Sequence, residues 1–146
     1  LKPNHFCFAI HHLIKAACYK ACGFLLGAAM NLILRFILEL AALAGIGMAA
    51  FQFSDGVIAY LASILCVTTA ATLWGVFNVP GDPSRSGHAP VRVSGPVRLS
   101  LELIILFGGS LSFYLAGYAW IALSHAWLIT LHYAFSAQRV GWLLKQ

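Results

Sequence analysis

The hydrophobic residues of this chain come in long uninterrupted runs, and no other feature limits its fold as much. Apolar residues follow one another with little polar relief from Leu32 to Phe53, Val57 to Val79, Val97 to about Gly117 and Tyr118 to about Ala137. Each run is close to the roughly 20 residues that a helix rising about 1.5 Å per residue needs to cross about 30 Å of hydrocarbon. A membrane barrel would alternate apolar and polar positions, so these runs are not barrel strands. Composition points the same way, with 61% hydrophobic and 9% charged residues and a mean hydropathy of +0.86. Soluble domains carry about 45–50% apolar and about 25% charged residues. A chain so poor in charge cannot cover itself with polar surface. A free cytosolic domain, a disordered chain, a collagen-like fibre and a small disulfide scaffold are all excluded.

The expected architecture is an all-α membrane protein with four transmembrane helices, at about 32–53, 57–79, 97–117 and 118–137, within a domain covering 30–146. Turn residues separate the runs: Gln52, Ser54, Asp55 and Gly56 after the first, and a Pro- and Gly-rich loop from Pro80 to Pro96 after the second. Arg35, Arg85, Arg92, Arg98, Arg139 and Lys145 fall on one side of a four-pass chain. The Gln52–Gly56 connection carries Asp55 and no cation. The positive-inside rule then puts both termini in the cytoplasm of a multi-pass cell-membrane protein. Trp74 and Trp142 would mark the inner interface, and Tyr118 and Trp120 the outer one. The net charge of +5 is a topology signal of this kind. It forms no basic face, and no nucleic acid partner is expected.

Residues 1–29 differ from the rest. They hold Cys7, Cys18, Cys22, His5, His11, His12, Lys2, Lys15 and Lys20. The lysines interrupt the apolar stretch and do not suit a secretory signal. Met30-Asn-Leu-Ile-Leu-Arg reads as a bacterial start, so residues 1–29 are expected to be a doubtful N-terminal extension. Their Cys and His lack the tight paired spacing of a zinc ribbon or finger, and no metal is expected. Cys66, inside the second run, is expected to be a small core residue.

Two stretches repeat. Arg35-Phe-Ile-Leu-Glu39-Leu40 aligns with Arg98-Leu-Ser-Leu-Glu102-Leu103, and Gly45 aligns with Gly108. The first and third helices would run in the same direction, so the repeat suggests two parallel helical hairpins. Residues four apart share a helical face, so each Arg can neutralise its Glu. Such charges are costly in hydrocarbon and must be paired, protonated or wet. One reading makes Arg35, Glu39, Arg98 and Glu102 structural ion pairs that lock the first and third helices together, each Arg bridging to the opposite Glu. The other makes Glu39 and Glu102 a proton- or cation-binding pair in a small transporter or channel subunit. Adjacent cations lower a carboxylate's pKa and work against proton cycling, so the structural reading leads. Small residues at Ala41, Gly45 and Ala49, and at Gly108 and Ser112, suit close packing of helices. Gly45 lies about 120° around its helix from Glu39, so the small stripe and the charged face can serve different neighbours.

His125 and His132 share a face of the fourth helix and suggest either a polar relay or hydrogen-bonded packing. One helix cannot place two histidines on opposite sides of a haem iron, and no cofactor is expected. Ser63, Thr68, Thr69 and Thr72 should bond to their own backbone or across helices. Asp55 and Asp82 read as turn residues. There is no phosphate-binding glycine loop, nucleophilic serine elbow or His-Glu-x-x-His motif, and enzymatic activity is not expected.

From Met30 to Lys145 the chain resembles the YrdB-like family of small bacterial integral membrane proteins. The likeness rests on Arg35-x-x-x-Glu39, Trp74-Gly-Val-Phe-Asn-Val-Pro80 and Arg98-x-x-x-Glu102. It implies a four-helix bacterial inner-membrane protein of uncharacterised function and supplies no catalytic residues. The expected role is structural or accessory, exercised in a homo-oligomer or a larger membrane complex.

Overall fold

A computed structural model describes residues 27, 30–82 and 89–146. The expectations for the cysteines, histidines and lysines of residues 1–26, and for Arg85, lie outside the described residues. The chain divides into two compact units, residues 1–34 and residues 35–146. Of the first, the described residues are Gly27 and 30–34. The second holds everything discussed below.

The fold is mostly helical. Helix α1 is Met30–Gln52, α2 is Gly56–Val76, α3 is Gly95–Leu115, α4 is Ala119–Phe135 and α5 is Ala137–Leu143. Helices α1, α2 and α3 are long and apolar enough to cross a membrane. α4 has 17 residues, about 25 Å at the usual helical rise, and falls a turn short of its neighbours. The expected fourth span, 118–137, is broken at Ser136, after which α5 begins.

The turns follow local chemistry. Gly56, the first residue of α2, and Gly117, between α3 and α4, have φ of 59° and 85°, which a residue with a Cβ adopts only at a cost. Pro96 sits in the first turn of α3, where its missing N–H is not needed. The second expected span, 57–79, ends early. Phe77–Asn78 leaves the helix as strand β1 and pairs in parallel with β2, Val91–Arg92. The loop is therefore pinned at its root rather than being a plain run of helix breakers. Asn78 is buried. Its carbonyl accepts from Val93 N–H at 3.1 Å, and its side-chain oxygen accepts from Val79 N–H at 3.0 Å.

The core runs along the line where α1, α3 and α4 meet. Arg35, Leu38, Glu39, Ala42, Gly45 and Ala49 form the buried face of α1, and Arg98, Glu102, Leu106, Gly109 and Phe113 that of α3. Both sets recur at three- and four-residue spacing, so each is one helical stripe. Ala122, His125, Ile129 and His132 complete the core from α4. Small side chains let the backbones meet. A Cβ on Gly109 would collide with the Ala42 Cα, and one on Gly45 would lie 2.6 Å from the Gly109 carbonyl oxygen. A Cβ on Gly108 would meet nothing within 4 Å. The expectation that Gly108 forms the crossing is corrected accordingly: Gly109 forms it, because it shares the face of Glu102 and Leu106. Ser112 lies beside that face and is half-buried.

α2 buries only Ala59 and Ala70 among its residues. Cys66 is exposed on it, which corrects its expected place in the core. The helix is joined to α1 by the Ser63 hydroxyl, which donates to the Gly47 carbonyl at 2.9 Å. Thr68 instead donates to its own helix, at Ile64 and Leu65.

Candidate functional site: a buried arginine–carboxylate cluster

One end of the helical body gathers most of its charge. The i,i+4 spacing places Arg35 against Glu39 at 2.8 Å and Arg98 against Glu102 at 3.0 Å. Arg35 also reaches across to Glu102 at 2.7 Å, joining α1 to α3. The bridging is not symmetric. Arg98 turns its other arm to the carbonyls of Trp74 and Phe77 at the end of α2. A cation there faces the negative end of the helix dipole. The guanidinium also lies 5.5 Å from the Trp74 ring centroid, within cation–π range.

Glu102 is the hub. Its Oε1 accepts from Arg35, Arg98 and Arg139. Its Oε2 accepts from Arg139 Nη1 at 2.9 Å and from the Tyr133 hydroxyl at 3.1 Å. Arg139 thus grips both carboxylate oxygens, the bidentate geometry that suits a guanidinium. It reaches on to Asp82 at 3.0 Å. Burial alone would lower the pKa of Arg139. The hydrogen bond and charge of Glu102, followed by those of Asp82, more than offset this and raise it above the ordinary arginine value.

The cluster therefore holds three arginines, Arg35, Arg98 and Arg139, and three carboxylates, Glu39, Asp82 and Glu102. Arg98, Glu102 and Asp82 are almost wholly enclosed. Formal neutrality is what makes such burial tolerable, since an uncompensated buried charge costs several kcal/mol.

Sequence spacing brings out the two Arg–Glu pairs and misses Arg139, Tyr133 and Asp82. Arg139 reads as a topology cation and Asp82 as a turn residue, yet both are partners in the cluster, Asp82 buried and Arg139 half-buried. One signal was available: an arginine just past an apolar run and an aspartate in the one long loop are both costly unless paired.

The two histidines are separate. The Leu38 carbonyl can only accept, so His125 Nε2, 3.0 Å away, carries a proton. In the neutral ring Nδ1 then accepts from the Ser110 hydroxyl at 2.8 Å. His125 ties α4 to α3 and α1. His132 lies about 10 Å further along α4, edge-on to the Tyr133 ring. Its buried Nδ1 has no hydrogen-bond partner among the described residues, nor has Nη2 of Arg98. No hydrogen bond joins the two histidines. The arrangement can hold charges and fix helices. It leaves the Glu102 carboxylate no open side.

Residues 33–130 match the model of DUF2568, a protein family of unknown function. The chain is also 39% identical over 116 residues to the uncharacterized protein YrdB of Bacillus subtilis strain 168, covering 80% of this chain and 94% of that one. No solved structure matches. The chain belongs to the DUF2568, YrdB-like family.

Proposed function

We propose that this chain is an integral membrane protein with a structural or accessory role, and that its arginine–carboxylate cluster holds the helices together rather than carrying ions. The observation behind this reading is the state of Glu102. The carboxylate is buried and already accepts from three arginines and a tyrosine. A transported cation would have to displace them. The bilayer and a larger assembly, either further copies of the chain or other membrane proteins, are the partners in this reading. Four passes, with α4 as the shortest, both termini in the cytoplasm and two related Arg-x-x-x-Glu hairpins complete it. The three long apolar helices support it, as does the exposure of large residues such as Trp120, Trp127 and Phe135. Monomeric soluble proteins rarely expose contiguous apolar patches of more than a few hundred Å².

The test is Glu102→Gln in purified full-length protein. In the structural reading three guanidiniums lose their common anion, so the variant melts at a much lower temperature or leaves the single monodisperse peak. A transporter would keep its fold and oligomeric state and lose an ion-dependent phenotype. A folded, monodisperse Glu102→Gln protein with wild-type melting would overturn the structural reading.

A further inference from the structure

The other end of the helical body carries a different site. Gln52 is 17 residues beyond Arg35 on α1, about 25 Å along the helix. There a groove of about 920 Å³ lies against α1, α2 and the α3–α4 turn. Leu43, Met48 and Val67 supply apolar walls, Phe51 and Tyr118 supply rings, and Asp55 supplies a carboxylate. The chain has four acidic residues. Glu39, Asp82 and Glu102 belong to the arginine cluster, and Asp55 alone has no ion-pair partner among the described residues. Asp55 also occupies the N-cap position of α2 without making a side-chain capping bond. Aspartate at that position ordinarily bonds the first free N–H groups of the helix. Its charge is therefore unused by the fold.

We propose that this groove binds a hydrophobic organic cation, with the apolar body lying between α1 and α2 and the positive charge facing Asp55 and the rings of Phe51 and Tyr118. The volume suits a drug-sized molecule. Aromatic faces and a carboxylate both attract a cation of low hydration, whereas an anionic lipid headgroup would be repelled by Asp55. A hydrated metal ion would find too few oxygen ligands among such walls. The proposal rests on the groove's own residues and not on which way the protein faces.

The test uses the full chain in nanodiscs of phosphatidylcholine, with tetraphenylphosphonium binding followed by equilibrium dialysis against protein-free discs. Saturable binding at one cation per chain is expected. Asp55→Asn should weaken it about tenfold, the loss of one partly screened charge contact, and Asp55→Glu should retain it. Ala44→Phe, which fills the groove, should abolish it. Neither Asp55 nor Ala44 touches the arginine cluster, so melting temperature reports the fold independently. Equal binding by wild type and Asp55→Asn would overturn the proposal. So would competition by uncharged triphenylphosphine oxide as strong as by the cation, which points to an acyl chain. A dimer that Ala44→Phe turns into a monomer would overturn it in favour of a second copy of the chain as occupant.

Discussion

Five hydrogen bonds converge on one carboxylate, so the strength of the cluster depends on the geometry of each donor as well as its charge. Arg139 spans both oxygens of Glu102 and also reaches Asp82. Lysine keeps the charge but has no planar fork. Arg139→Lys should cost about 1.5–3 kcal/mol, the range for hydrogen bonds to charged groups. Arg139→Ala should cost about 3–5 kcal/mol, because it leaves Glu102 and Asp82 short of a buried counter-charge. Detergent-solubilised melting followed by tryptophan fluorescence checks both, and equal losses for Lys and Ala would deny the fork a role. The pH dependence has a definite sign. Arg139 has a folded pKa raised above its ordinary value, so its contribution is complete below the ordinary arginine value of about 12.5 and is lost only above it. The wild-type-minus-Arg139→Lys difference should stay flat from about pH 6 to pH 10. The halves of the site at i,i+4 spacing were legible in the sequence because helical geometry alone brings such pairs together. Arg139 and Asp82 were not, since a contact across 57 positions depends on how α5 folds back after Ser136.

At the scale of elements, the crossing of α1 over α3 makes two adjacent glycines behave oppositely. A methyl on Gly109 would strike the Ala42 backbone, while one on Gly108 would meet open space. Gly109→Ala should therefore lower the melting temperature markedly, by an overpacking penalty of about 1–3 kcal/mol. Gly108→Ala should leave it unchanged or raise it, because alanine is the better helix former. Equal effects would mean that the helices cross elsewhere. The helices themselves were readable from run length to within about three residues at each end. The error at Gly108 arose from aligning the repeat at Gly45 and carrying the match along the sequence. The face that starts at Glu102 and continues through Leu106 leads to Gly109 and Phe113 instead. The expected separation of Gly45 from the charged face fails for a related reason. Gly45 meets Gly109 and Phe113 and Arg35 meets Glu102, so the small stripe and the charged face both pack on α3. The β1–β2 ladder had no signature in the sequence. Two-residue strands carry no period, and this one is set by the buried Asn78 just past the end of α2.

For the molecule as a whole, what decides orientation is that the charges are segregated. The balanced cluster occupies one end and a lone carboxylate the other. In the proposed four-pass reading the cluster end, rich in arginine, faces the cytoplasm and the Ser54–Gly56 turn faces outward. Ser54→Cys in a background with Cys7, Cys18, Cys22 and Cys66 all replaced by Ser should react with a membrane-impermeant maleimide in intact cells, and Gln146→Cys should react only after the membrane is opened. Removing Cys66 is harmless to the packing because its side chain is exposed. The reverse labelling pattern would invert the topology while leaving the cluster's role untouched. Labelling of both positions from one side would mean an even number of crossings between them. That would leave the 17-residue α4 as a helix buried against α3 that does not span the bilayer.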